Sequence, residues 1–537
     1  MSGPRSVKRV LLALGPLLYA LVWAAASPAQ TPECTSAANA RSSVRVEYDA
    51  RISVPGHVGA VVFERSEGGE LTARDEESGK ILWGFRAPEL SAALAATGLM
   101  TDLAVLRFDS NGDGVIDASG GDRVWLYFGL KRGGAYYYAL DVTARTPRVL
   151  WRAGADSLGE LGDAWSAPTV ARVRVAGAAQ NGEHFVLVVG GGFIRATPEI
   201  GNRILMLDAA NGRLLWSAGG DAGNDRVLTH MTHGVAARVA ALDTDGDGFA
   251  DRLYTADTGG RVWRFDIWNG RSRAELVTGG MIASLGTAEP LPAPPSPSDA
   301  RRFFNAPDAA LIQQRGADAW YNLAIGSGDA DNVHSTAVQN RFYSLRDREP
   351  FARRSQSSYD SAAPVFDADL VDISSTSETP FVPEGASGWK LDLTGDSAVL
   401  TESVTANGAI LFTTHEAAAS VDGAACDAGG SNRVYVVRVE SGDAALDLNG
   451  DMQITQADRS AELAQTGIAI EPRIELGIPA LPVPGLPSTP AVPGTPGASG
   501  GAAAPAQSRC TIGAELMNQC VPIDTVIRTY WKRTFVN

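Results

Sequence analysis

Cysteine and histidine are scarce in this chain of 537 residues, with four of the first and six of the second. No C-x-x-C spacing occurs, so a zinc ribbon or a thioredoxin-like redox centre has no ligands to build on. Basic blocks are missing as well, and the formal net charge is −15. Nucleic acid is therefore not an expected partner, because phosphate binding needs clustered Lys and Arg. Helical periodicity is rare, which points to an all-β protein. No Ser/His/Asp or paired-carboxylate constellation stands out, so the expectation is a protein that is not an enzyme.

One long apolar run exists, Val10 to Ala26, preceded by Arg5, Lys8 and Arg9. Small residues at Ala24–Ala26 and again at Ser27-Pro28-Ala29 offer cleavage sites, so residues 1–26 read as an export leader. No second hydrophobic span follows, and no integral membrane span is expected once the leader is removed. The expected location is the periplasm, outer membrane or cell surface. Four cysteines in an exported chain suit two disulfides. Cys510 and Cys520 are near in sequence and are expected to pair, which leaves Cys34 and Cys426. Residues 478–507 are Pro/Gly/Ala-rich and nearly uncharged and read as a linker. That divides the chain into a leader (1–26), a main domain (27–477), the linker (478–507) and a C-terminal disulfide loop and strand (508–537). Pro290–Asp299 reads as a loop.

Within the main domain one unit recurs: a strand ending in Asp, a turn with Gly, an aliphatic pair and Trp. It is clear at Ala73–Phe85, Tyr136–Trp151 and Arg203–Gly219 and degenerate at Gly259–Gly270, Asn340–Asp347 and Asn432–Asp443. Repeated strand-turn-strand units at this spacing predict a β-propeller of about seven irregular blades, quinoprotein-like, with long loop insertions. Trp83, Trp151, Trp216 and Trp263, at the blade ends, are expected in the core.

Two nine-residue stretches carry the chemistry: DSNGDGVID at Asp109–Asp117 and DTDGDGFAD at Asp243–Asp251. Oxygen-bearing side chains fall at positions one, three, five and nine, with Gly at six for a sharp turn. This is the pattern that wraps oxygens around calcium. The candidate ligands are Asp109, Asn111, Asp113, the Val115 carbonyl and Asp117 in the first loop. In the second they are Asp243, Asp245, Asp247, the Phe249 carbonyl and Asp251. Position twelve holds Gly120 or Tyr254, so the bidentate Glu of an EF-hand is missing and the acid at nine is expected to replace it. Both loops run into β-like sequence, which predicts strand-loop-strand sites. A third candidate, DLNGDMQITQAD, offers Asp447, Asn449, Asp451, Gln453 and Asp458. Its sixth residue is Met452, which strains the turn.

Other residues read as structural. His230 and His233 have H-x-x-H spacing but lead into a strand, where the two rings point apart. Gly326-Ser327-Gly328 lacks the surroundings of a nucleophile elbow and reads as a turn. Asp372–Thr376 departs from a metal-dependent adhesion motif at its last residue.

Several blocks in order resemble PilY-type type IV pilus biogenesis proteins in their C-terminal propeller. They are Phe128–Thr143, Leu161–Val173, Val188–Phe193, Asn202–Trp216, Asp243–Ile267, Arg301–Asp308, Ile325–Ala330, Asn340–Asp347, Gly388–Leu393 and Ile410–Glu416. The resemblance implies an exported, calcium-binding propeller that promotes pilus assembly by opposing retraction and supports twitching and adhesion. It implies minor pilins and the pilus tip or assembly machinery as partners, with a host or abiotic surface beyond them. Calcium carries over to Asp243, Asp245, Asp247, Phe249 and Asp251. The chain departs from the family in having only about 40 residues between the leader and the first blade, where members usually carry a long N-terminal region, so this reads as a short form. It also lacks a basic residue after Asp329 and any Arg-Gly-Asp. Two alternatives share parts of the pattern: a pyrroloquinoline-quinone dehydrogenase, and a secreted calcium-dependent adhesin acting without pili.

Overall fold

The computed structural model describes residues 43–48, most of 59–476, and 508–512 with 515–516. The expected leader, Cys34, Cys426, Cys520, the 478–507 stretch and most of the expected C-terminal disulfide loop and strand (508–537) lie outside the described residues. Among the described residues, no helix is long and apolar enough to cross a membrane.

Six antiparallel blades follow one another along the chain. Blade one is β1 (Ser43–Tyr48), β2 (Gly59–Arg65), β3 (Glu70–Asp75) and β4 (Ile81–Arg86). Blade two is β5 (Ala104–Phe108), β6 (Arg123–Gly129), β7 (Tyr136–Asp141) and β8 (Arg148–Gly154). Blade three is β9 (Thr169–Arg174), β10 (Glu183–Gly190), β11 (Arg203–Asp208) and β12 (Leu214–Gly219), with β13 (Arg226–Val227) added in parallel to β12. Blade four is β14 (Ala240–Leu242), β15 (Arg252–Ala256), β16 (Arg261–Ile267) and β17 (Val277–Ser284). Blade five begins with β18 (Asp308–Ile312), β19 (Trp320–Gly326) and β20 (Arg341–Asp347). The chain then places β21 (Val365–Phe366) parallel to β17, and returns as β22 (Val371–Asp372) and β23 (Gly388–Asp392) to complete blade five. Blade six is β24 (Val404–Ala406), β25 (Ala409–Glu416), β26 (Ser431–Arg438) and β27 (Ser460–Leu463). A smaller seventh sheet joins β28 (Pro472–Leu476) to β29 (Ser508–Ile512) and β30 (Glu515–Leu516), so Cys510 sits in a strand paired with the far side of the Pro/Gly/Ala-rich stretch.

First strands of neighbouring blades approach one another, β5 with β9, β9 with β14, and β18 with β24. The inner strands thus ring an axis and the sheets stack face to face around it. Middle strands are covered on both faces, which is why β15, β16 and β19 are buried throughout instead of alternating.

The recurring unit has a physical basis. Its Asp caps the turn after the third strand: Asp75 accepts from the Ser78 N–H at 2.6 Å, and Asp208 from the Ala210 N–H at 2.9 Å. The second aliphatic residue is a β-bulge. Ala73 faces Trp83 while Arg74 faces Ile81, which leaves Leu82 extra, and Leu150 and Leu215 occupy the same place ahead of Trp151 and Trp216. Trp151, Trp216 and Trp263 are buried and Trp83 half-buried. The indole then reaches the next blade: Trp151 Nε1 donates to the Ala209 carbonyl at 2.9 Å, and Trp389 Nε1 to the Val439 carbonyl at 2.8 Å. A Cβ on Gly212, whose φ is +70°, would stand 2.7 Å from the Trp151 ring, so glycine in one blade's turn makes room for its neighbour's indole.

Blades four and five share a buried ionic cluster. Arg264 donates to both oxygens of Asp347 (2.8 and 2.9 Å), to both oxygens of Asp266 (3.1 Å each) and to the Ala352 carbonyl at 2.6 Å. Arg252 donates to Asp266 and to the carbonyls of Glu349, Pro350 and Ala352. The hydroxyls of Tyr254 and Tyr359 complete it on Asp347 and Asp266. The connection after β20 is thereby fastened over blade four.

Candidate functional site

The first aspartate loop joins β5 to β6 and the second joins β14 to β15, equivalent places in blades two and four. The third joins β26 to β27. In an antiparallel meander the first-to-second and third-to-fourth connections leave from the same end of the strands. All three loops therefore lie on one face of the disc.

In the second loop, carboxylate oxygens of Asp243, Asp245 and Asp247 lie within 4.8 Å of one another. The backbone turns around the first of them: Asp243 Oδ1 accepts the Gly246 N–H at 2.6 Å and Oδ2 the Gly248 N–H at 2.9 Å. Asp245 accepts the Asp247 N–H at 3.2 Å, and Asp247 the Phe249 N–H at 2.9 Å. Gly246 and Gly248 have φ of +82° and +88°, which glycine adopts without strain. Phe249 is buried with Arg172 and Arg174 over its ring at 4.5 and 3.8 Å, so its side chain anchors the loop to blade three. Burial pushes the Asp243 carboxyl above its ordinary range. The Gly248 and Gly246 N–H groups pull it down, but the charges of Asp251 and Asp247 push it further up. Three hard oxygen donors converging at one partly open point fit a divalent cation such as calcium.

Asp251 stands apart from that cluster. Its Oδ2 accepts the Thr244 N–H and hydroxyl at 2.8 and 2.9 Å, and its Oδ1 pairs with Arg353. In the first loop this clasping is not done by position nine. Asp122 accepts the Ser110 N–H and hydroxyl at 2.8 and 2.7 Å and the Asp117 N–H at 2.8 Å. Asp117 instead accepts from Ser119. Asp109 accepts the Gly112 N–H at 2.8 Å. Asn111 is exposed, Val115 is half-buried, and Asp113 lies outside the described residues. In the third loop the clasp is Asp458, fully buried, which accepts from Asn449 and Thr455. Sequence reading missed Asp122, although a signal was there: each loop ends in Asp-Arg just ahead of the next strand, at Asp122-Arg123, Asp251-Arg252 and Asp458-Arg459.

Four backbone bonds that shape the second loop recur in the third, although its clasp differs. Asp447 accepts the Gly450 and Met452 N–H groups at 2.7 and 2.8 Å, Asn449 accepts that of Asp451 at 2.8 Å, and Asp451 that of Gln453 at 2.8 Å. Met452 is held at φ +66° with its side chain 93% exposed, so it bears the strain with no packing in return. Replacing Met452 with Gly is expected to stabilise the protein by about 1 kcal/mol, and Met452→Val to destabilise it, measured by denaturant midpoint.

The residues set aside as structural are so placed. His233 Nδ1 meets Arg261 Nη2 at 3.1 Å, while His230 is exposed. Ser327 is buried, its hydroxyl bonded to Asn340 and to the Arg341 N–H. Asp372 accepts the Ser374 N–H at 2.9 Å, and Thr376 lies outside the described residues. On the opposite face, Trp165, Phe193 and Phe304 meet edge to face, beside Arg195 paired with Asp329 and Asp331.

No family model matches the chain. A Type IV pilus biogenesis factor PilY1 homolog of Xylella fastidiosa is 26% identical over 355 residues, 60% of this chain and 22% of the relative. The Type IV pilus biogenesis factor PilY1 of Pseudomonas aeruginosa PAO1 is 32% identical over 146 residues, 26% of this chain and 11% of the relative. The chain thus spans less than a quarter of the curated relatives it matches. The crystal structure of the P. aeruginosa PilY1 C-terminal domain superposes with a TM-score of 0.57 at 17% identity, covering 85% of this chain and 92% of that one.

Proposed function

From a chain of PilY type, we propose an exported, non-enzymatic propeller that works in type IV pilus biogenesis, with calcium held in the aspartate loops of one face. The observation that carries this reading is the convergence of Asp243, Asp245 and Asp247 within 4.8 Å, inside a block that resembles the pilus-biogenesis propeller. Calcium there would supply positive charge that draws the loop closed and fixes the surface around it. The protein's part is done by its backbone and clasps. Gly246 and Gly248 N–H groups aim Asp243, Thr244 and Asp251 close the loop, and Phe249 ties it to blade three. The fixed face then engages minor pilins and the assembly machinery, opposes retraction, and so supports twitching and adhesion. The recurrence of the same backbone turn in the third loop supports extending this reading to Asp447, Asn449 and Asp451, and the first loop adds Asp109, Asn111, Val115 and Asp117.

Calorimetric titration of the protein with calcium tests the binding, and counting surface pili in cells that carry the variant tests the role. Asp245→Ala is expected to weaken the second-loop site at least tenfold and to reduce piliation and twitching. Unchanged affinity and unchanged pili would reject the reading. Unchanged pili with calcium binding lost would leave a calcium-dependent adhesin as the better account.

A further inference from the structure

Asp251 offers two carboxylate oxygens, and both have partners. Oδ2 closes the second loop through Thr244, while Oδ1 faces Arg353, which arrives from the connection after β20. The carboxylate is 3% exposed and the guanidinium side chain 33% exposed. The backbone on either side of Arg353 is fixed. Ala352 O accepts from Arg252 and Arg264, both at 2.6 Å, and the Arg354 N–H donates to Asp266 Oδ2 at 2.8 Å. The side chain therefore springs from an immobile anchor, yet its outer part is open to water, unlike the buried Arg252 and Arg264. Trp268 lies alongside, its ring 5.9 Å from the guanidinium.

We infer that Arg353 is a resident counter-cation of the second loop, holding Asp251 apart from the three converging carboxylates, competing with calcium for it and thereby setting the affinity of the site. The inference rests on reading Asp243–Asp251 as a calcium loop. A guanidinium and a divalent ion repel when they share one carboxylate, so occupancy by one weakens the other. Because the anchor is fixed, the exchange moves the Arg353 side chain toward water and leaves the 349–354 backbone in place. Arg353 is a positioning residue in this account: it acts on the metal only through Asp251.

Calorimetric titration of the full chain with calcium chloride tests it. Arg353→Gln is expected to tighten binding on the order of tenfold, since a partly buried charged pair no longer has to be broken. Arg353→Lys, which keeps a cation there, should stay near wild type. Arg148→Gln removes the same charge from blade two, where Arg148 pairs with Asp141, and should change affinity by no more than about twofold. An Arg353→Gln affinity that is unchanged or weaker overturns the inference, and so does an equal gain from Arg148→Gln. If binding is saturable in the wild type and one class of sites is lost in Asp247→Ala while Arg353→Gln matches the wild type, only the competition falls. Absence of binding in the wild type and Arg353→Gln alike brings down the calcium reading itself.

Discussion

Arg264→Met is expected to lower the stability of the folded protein by about 3–5 kcal/mol, read as the shift in denaturant midpoint near neutral pH. The arginine is wholly buried and directs donors to Asp347, Asp266 and the Ala352 carbonyl at once. Methionine fills much of the same space, so the loss comes from leaving two carboxylates under-paired in the interior and not from a cavity. The pH dependence identifies the cause. Burial pushes the Asp347 carboxyl up, but the Arg264 charge, the Tyr254 hydroxyl and the Arg252 charge more than offset this and hold it below the ordinary range. A depressed folded-state value means that its stabilisation is complete above the unfolded value, about 3.9, and is lost as pH falls through the folded one. Without Arg264 burial prevails and the folded value rises above the unfolded one. The variant then gains relative to wild type as pH falls from about 7 toward 4. A gap that stays constant over that window would show that packing, not charge, carries the loss. Arg148→Met is the contrasting case, since its pair with Asp141 is 74% exposed on the arginine side and should cost under about 1 kcal/mol.

The second large effect is expected from Trp151→Ala, about 3–5 kcal/mol by the same measurement. The indole fills the seam between blades two and three, lies over Gly212, and donates its N–H to Ala209. Truncation opens a void at that seam that neither blade can close, because the backbone of each is fixed by its own ladder. Trp151→Phe keeps most of the volume and drops the N–H. Ala209 O still receives the Tyr127 hydroxyl at 3.1 Å, so the phenylalanine variant should lose only about 1 kcal/mol. Equal losses from Ala and Phe would mean that the hydrogen bond, not the filling of the seam, is decisive.

How much of this was readable beforehand depends on the distance over which each feature is encoded. The Asp-turn-Gly-aliphatic-Trp unit is local: cap, bulge and indole lie within about a dozen residues, so the blades and the buried Trp151 and Trp216 could be read from order alone, whereas Trp263, expected at a blade end, lies buried in the third strand of blade four ahead of Asp266. The second loop was legible for the same reason, since Asp243, Asp245 and Asp247 position one another through their own backbone. Arg353 was not, because 102 residues separate it from Asp251. Arg252 and Arg264 look in sequence like solvated charges on strands, and only the stacking of blades four and five around Asp266 and Asp347 buries them. The strands β13, β21 and β22 have two residues each and so carry no periodicity to detect.

Those three short strands make the rim of the disc unequal. The last strand of a blade offers a row of amide and carbonyl groups to any extended peptide that comes alongside. On blades three, four and five a piece of the chain itself already occupies part of that row, whereas no described strand does so outside β4, β8 or β27. Among the described strands, the outer edges of blades three, four and five are thus guarded and those of blades one, two and six are not. An extended guest segment or a second copy therefore meets a different edge on the two sets of blades, which gives a nominally round molecule a preferred direction of approach.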